Sequence, residues 1–100
     1  MPMSDDGAAL RLKDDDNVAV CLRAVPVAST VRFGAAEVRA LADIPAGHKI
    51  ALQAIALGAL VRKYGQPIGK ASAPIAAGEH VHVHNVEGMR GRGDLAEVSA

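Results

Sequence analysis

Tryptophan is absent from this 100-residue chain, and Phe33 and Tyr64 are its only aromatic residues. A stacking platform for nucleobases is thereby excluded, because such platforms need several aromatic faces. A single cysteine, Cys21, rules out an internal disulfide and any multi-cysteine zinc site, which fits a reducing, cytoplasmic setting. Charge of one sign is missing too, since eleven Lys plus Arg balance eleven Asp plus Glu. The basic field of a nucleic-acid binder is therefore lacking, and no nucleic-acid partner is expected. No apolar run approaches the roughly 20 residues of a membrane span. The acidic start, MPMSDDGAALRLKDDD, lacks the basic and apolar regions of an export signal. The reading is a soluble, cytoplasmic chain with no membrane association.

What is present is aliphatic. Half of the residues are hydrophobic, so Ala, Val, Ile and Leu must form the core of what this length predicts to be one small domain. Local chemistry divides the chain into a flexible polar head at 1–15, a folded body at 16–87 and a flexible, Gly-rich and charged tail at 88–100. Within the body, an aliphatic residue, two small residues, Gly, two variable residues and another aliphatic recur. The copies are Ile44-Pro-Ala-Gly-His-Lys-Ile50, Ile55-Ala-Leu-Gly-Ala-Leu-Val61 and Ile75-Ala-Ala-Gly-Glu-His-Val81. A degenerate fourth, Val25-Pro-Val-Ala-Ser-Thr-Val31, carries Ala28 in place of Gly. Each unit reads as a tight turn, at Gly47, Gly58 or Gly78, followed by a strand. Residues 18–22, 48–52, 60–64 and 79–84 alternate as strands do, and residues 65–69 read as a turn. Residues 35–42 predict a short helix. The sum is a compact, mainly β domain of short strands joined by Gly turns.

The segment Gly78-Glu-His-Val-His-Val-His-Asn85 holds the densest chemistry. A continuous strand would place His80, His82 and His84 on one face, roughly 7 Å apart, with Val81 and Val83 on the other. Such a face can move protons near neutral pH or bind one ion through two of its members, His82 and His84 being the metal candidates. The plain alternative is a wet strand face or a subunit contact. His48 and Lys49 follow a Gly turn, where side chains are readily presented. Lys63 and Tyr64 point to opposite faces unless a bulge intervenes, with Tyr64 read as a core aromatic. Asn85 reads first as a turn former. Cys21, among apolar neighbours, reads as a buried hydrophobe. Asp14, Asp15 and Asp16 read as solvating a loop or capping a turn, and Arg92-Gly-Asp94 as coincidence.

Four stretches together resemble a known family: Asp16-Asn-Val-Ala-Val20, residues 44–52, Lys63-Tyr-Gly-Gln-Pro-Ile-Gly-Lys-Ala71 and residues 78–85. They are similar, in order and spacing, to the amino-terminal SAF module of altronate and galactarate dehydratases. The resemblance implies a small β-clip fold and a lyase. It further implies the small subunit of a sugar-acid hydro-lyase that works with a larger dehydratase subunit on a small hydroxy acid. Sulfolactate sulfo-lyase small subunits share the module, and a non-catalytic module for binding carbohydrate acids or for assembly is a third option. The positions that match the family are His48, Lys49, Lys63, Tyr64, Gly65, Gly69, His80, His82, His84 and Asn85; among them His48, His80, His82 and His84 are taken as candidates for catalysis, and Lys49, Lys63, Tyr64 and Asn85 for substrate binding. A divalent metal, iron or manganese, is implied, held together with the large subunit. Self-association is left open. The loop at 29–34 departs from the family pattern, and Ala28 stands where a Gly is usual.

Overall fold

The computed structural model describes residues 8–11, 13, 15–33 and 36–88. In chain order the strands are β1 (Ala9–Leu10), β2 (Val18–Cys21), β3 (Thr30–Phe33), β4 (Ala36–Arg39) and β5 (Lys49–Ala51). They continue as β6 (Leu60–Lys63), β7 (Gln66–Ala71), β8 (His80–Val81) and β9 (Val86–Glu87). All pairings are antiparallel and form sheets of order β1-β2-β5-β8, β3-β4 and β6-β7-β9. Among the described residues there is no helix, so the mainly β reading holds. The helix predicted over 35–42 is instead β4 and a bend. Val38 and Ala40, two residues apart, face the core there, and Val38 pairs across the strands with Val31.

The fourfold motif is a real structural repeat. Residues 21–30, 40–49, 51–60 and 71–80 each leave a chain segment through a bend, bridge once at an apolar residue, turn, and extend. The bridging residues pair as Val25 with Ile44 and as Ile55 with Ile75. Each turn clips onto the start of its partner unit. The Gly47 N–H donates to the Cys21 carbonyl at 2.7 Å, and the Cys21 N–H returns to the His48 carbonyl at 2.7 Å. Ala28 and Ala40, Gly78 and Ala51, and Gly58 and Ala71 begin the corresponding exchanges, each at 2.8 Å. Ala28 adopts φ 76°, beside 85°, 83° and 90° at Gly47, Gly58 and Gly78. The degenerate copy therefore keeps the turn and carries the steric cost of a Cβ at positive φ.

Two apolar clusters fill the molecule, one around each pair of units. The first gathers Ala19, Cys21, Val25, Val31, Phe33, Val38, Ile44 and Ile50. The second gathers Val18, Ala51, Ile55, Val61, Ala71, Ile75 and Val81. Alternation along β2 and β5 sends Ala19, Cys21 and Ile50 to one cluster and Val18 and Ala51 to the other. Burial pushes the Cys21 thiol up to about 11, in keeping with a structural cysteine.

The sheet begins before the boundary expected at residue 16, because Ala9 and Leu10 pair with Cys21 and Val20 and Ala8 and Ala9 are buried. Residues 1–7 of the head, Asp14, Gly34, and the tail beyond Gly88 with its Arg-Gly-Asp lie outside the described residues. No helix among the described residues is long and apolar enough to cross a membrane.

Candidate active site

Three histidines from two separate parts of the chain meet at one edge of the four-stranded sheet. His48 sits just after the Gly47 turn, its carbonyl held by Cys21. β8 pairs with β5, with His80 opposite Ile50 and Val81 opposite Lys49. That register brings His48 Nδ1 to 2.8 Å from His80 Nε2. The His82 ring stacks on His48, with centroids 3.9 Å apart and planes 18° apart. One ring nitrogen from each of His48, His80 and His82 lies within 4.8 Å of the others. His84 stands beside His80, with centroids 5.1 Å apart, and is exposed.

The geometry differs from a flat histidine face. β8 ends at Val81, and residues 82–85 turn instead of extending. Asn85 causes this. Its side-chain carbonyl accepts from the His82 N–H at 3.0 Å and its amide donates to the His80 carbonyl at 2.9 Å. Only 3% exposed, Asn85 closes the turn, so its side chain has an internal task where the resemblance implies a substrate contact. Val83, expected on the buried face, is 80% exposed. The His80 and His82 rings lie 5.8 Å apart, closer than strand spacing.

Lys49 and His82 line one open cavity of about 250 Å³ with Ile68, Val83, Val86 and Gly88. Partial burial, then the charge of Lys63, lowers the Lys49 pKa from the usual lysine value. Burial and then His48 lower the pKa of both His80 and His82, with His84 and Lys49 adding to it. The shift favours the neutral imidazole, the form that bases and metal ligands require. The His82 Nδ1 is buried and has no hydrogen-bond partner among the described residues.

Lys63 and Tyr64 belong to a neighbouring hairpin. Lys63 ends β6 and Tyr64 opens the turn that follows, with Lys63 Nζ 5.2 Å from the Tyr64 ring centroid; the register shift of the hairpin lies earlier, between Val61 and Arg62. Tyr64 is a half-buried turn residue rather than a core aromatic. With φ of 57° and 78°, Tyr64 and Gly65 form the two-residue β6–β7 turn. Asp16 holds it, accepting from the N–H groups of Gly65 at 2.7 Å, Tyr64 at 2.9 Å and Lys13 at 3.2 Å. Asn17 ties β2 to β6 by accepting from the Arg62 N–H at 2.7 Å and donating to the Leu60 carbonyl at 2.9 Å. Of the acidic run, Asp16 thus caps a turn while only 3% exposed. The adjacent Asp-Asn before a strand was the sequence signal for both anchors. The apolar lining by Ile68 and Val86 had no signal.

The family model of the altronate/galactarate dehydratase SAF domain matches residues 7–89. The chain belongs to this family. This SAF domain is 40% identical over 78 residues to an altronate dehydratase of Bacillus subtilis (strain 168), covering 78% of the chain and 16% of that enzyme. It is 51% identical over 70 residues to an altronate dehydratase of Escherichia coli (strain K12), covering 70% and 14%. A (2R)-sulfolactate sulfo-lyase subunit alpha of Paracoccus pantotrophus is 49% identical over 51 residues, covering 51% of the chain and 76% of the subunit. The SAF domain thus spans about one sixth of the altronate dehydratases it matches, and its relatives are dehydratases and lyases.

Proposed function

We propose that the chain is the small component of an altronate/galactarate-type hydro-lyase, acting with a larger catalytic component on a sugar acid. The observation that carries this reading is the convergence of His48, His80 and His82 with Lys49 at one sheet edge of a dehydratase SAF domain. Dehydration of a 2,3-dihydroxy acid removes the proton next to the carboxylate and breaks the neighbouring C–O bond. The hydroxyl leaves as water, and the enol product becomes a 2-keto acid. Negative charge grows on the carboxylate as the proton leaves, so cationic groups and a near-neutral base are needed. Lys49, in the cavity wall, pairs with the carboxylate, and Lys63 strengthens the local positive field. A divalent metal, when bound, would supply further charge neutralisation there, with His48, His80 and His82 as nitrogen ligands. His84, exposed and beside the trio, is the acid that protonates the leaving hydroxyl, and a base of the larger component takes the proton next to the carboxylate. Asn85 positions His82, and Tyr64 flanks Lys63.

The (2R)-sulfolactate sulfo-lyase subunit alpha, most of whose length matches, favours a second reading, elimination of sulfite by a two-component enzyme. Sulfite leaves without a proton, so His84 separates the two chemistries. The test is co-expression with a large dehydratase-like component and assay against altronate, galactarate and sulfolactate. Turnover is expected only with both components present. His84→Asn should then slow dehydration by roughly 100-fold or more, as for loss of a general acid, and should spare sulfite elimination. Turnover by the chain alone overturns the two-component reading. Full turnover in an assembled His82→Ala enzyme, or loss of assembly in that variant, leaves a non-catalytic assembly module.

A further inference from the structure

We infer that the exit of the first repeat unit is a second ligand site, which takes a phosphate group between the guanidinium groups of Arg23 and Arg39 and the hydroxyl of Thr30. None of these residues belongs to the histidine cluster, so the inference stands apart from the proposed function.

The repeat itself shows why side-chain chemistry is presented here. Aligned on their turns, Ala28-Ser29-Thr30-Val31 corresponds to Gly47-His48-Lys49-Ile50. The turn that presents His48 and Lys49 in the second unit therefore presents two hydroxyls in the first. Arg23 corresponds to Ala42, Gln53 and Ala73 in the other units, so a cation occupies this bend in the first unit only. Ser29 and Thr30 also lie in the loop that departs from the family pattern, so chemistry shared by the family does not account for them.

The fold brings these residues together. Arg23, Ala24, Ser29 and Thr30 line a cavity of about 100 Å³, room for a few water molecules and hence for one phosphate group, but not for a nucleoside. The pairing of β3 with β4 sets Arg39 directly opposite Thr30. Cβ atoms of such a pair lie roughly 5 Å apart, so the longer Arg39 side chain reaches the same mouth. The Ser29 hydroxyl donates to the Pro26 carbonyl at 2.5 Å and so braces the wall. The Thr30 hydroxyl and the N–H groups of Arg23 and Ala24 have no hydrogen-bond partner among the described residues.

Positive charge at this mouth is not balanced from within. Glu37 is engaged by Arg32 at 3.3 Å, and Asp43 accepts from the Val27 N–H at 2.8 Å. Arg23 and Arg39 form no ion pair among the described residues. The donors also select the ligand. Two guanidinium forks on different elements, a hydroxyl and backbone N–H groups approach from several directions. A planar carboxylate satisfies one fork, whereas a tetrahedral phosphate dianion offers oxygens to all of them and neutralises both arginines.

The experiment is titration of the isotope-labelled full chain with sodium phosphate at low ionic strength and about pH 7.5, where the phosphate is mostly dianionic. Amide resonances of Arg23, Ala24, Thr30 and Arg39 should shift together and saturate, and added salt should weaken the binding. Arg23→Gln and Arg39→Gln, at exposed positions and checked for folding by circular dichroism, should each weaken phosphate binding by about 10-fold or more. Thr30→Val should weaken it severalfold. Acetate at equal ionic strength should bind about 10-fold or more weakly than phosphate. Methyl phosphate separates the two sources of the group: tighter binding than inorganic phosphate assigns the site to phosphate esters, and weaker binding assigns it to the free ion. Absence of saturable shifts, or binding that survives both arginine variants, overturns the site. Acetate binding as tight as that of phosphate overturns the phosphate assignment. Because the readout is binding to the chain itself, failure of dehydration with every partner contradicts the proposed function and leaves this site intact.

Discussion

Gly47 and Gly78 occupy equivalent turns at nearly the same φ, yet substitution should treat them differently. An added Cβ at Gly47 meets nothing within 4 Å, whereas at Gly78 it would collide with the Arg39 carbonyl oxygen and crowd Leu41. Gly47→Ala should therefore cost about 1–2 kcal/mol, the left-handed penalty that Ala28 already carries. Gly78→Ala should cost clearly more, because Arg39 and its strand must move. Urea denaturation of both variants checks the order, and equal costs would contradict the packing around Gly78. The repeated glycines were legible as turns from their spacing. That Ala28 does the same work was legible only as a weak fourth copy, since composition does not report φ. Asp16 was harder to place, because its burial comes from the distant Tyr64–Gly65 turn, 48 residues along the chain.

At the level of elements, alternation alone misread the histidine segment. The pattern from 79 to 84 satisfies a strand, but Asn85 offers its side chain to the backbone at His80 and His82 and so competes with ladder pairing. Asn85→Ala removes both bonds and leaves part-buried backbone groups at His80 and His82 without them, so it should destabilise the fold by about 1–3 kcal/mol. It should also abolish the ordered stacking of His82 on His48, visible as averaged ring resonances. His80 and His82 also make stability depend on pH. Their folded pKa values lie below the ordinary one, so on acidification the unfolded chain takes up protons first. Stability is then full above the unfolded histidine pKa of about 6.5 and falls as pH drops from there toward the folded values. Denaturation midpoints of the metal-free chain should fall between about pH 7 and pH 5, and the drop should shrink in His80→Ala. His48 entered the cluster through the β5–β8 pairing, a contact 32 residues apart that no local pattern encodes. The helix expected over 35–42 fell for a similar reason, since β3 supplied a partner that propensity does not see.

For the whole molecule, the aliphatic composition and recurring turns were enough to expect one mainly β domain. The pairing of unit with unit was not legible, because Val25–Ile44 and Ile55–Ile75 are tertiary bridges between chemically similar copies. Those bridges belong to different apolar clusters. Ile44→Val and Ile75→Val should each cost about 0.5–1.5 kcal/mol, and the double variant should cost their sum within about 0.5 kcal/mol. A marked departure from additivity, measured by chemical denaturation, would show that the clusters behave as one core. The links between them are β2 and β5, whose successive side chains serve the two clusters in turn. A one-residue slip of either strand would exchange its contributions to both clusters at once, so neither half can adopt an alternative register on its own. The two halves are thus joined by shared backbone as well as by contact. Splitting the chain between the two unit pairs should therefore yield two unfolded peptides rather than two half-sized domains, and heating the intact chain should give a single cooperative transition.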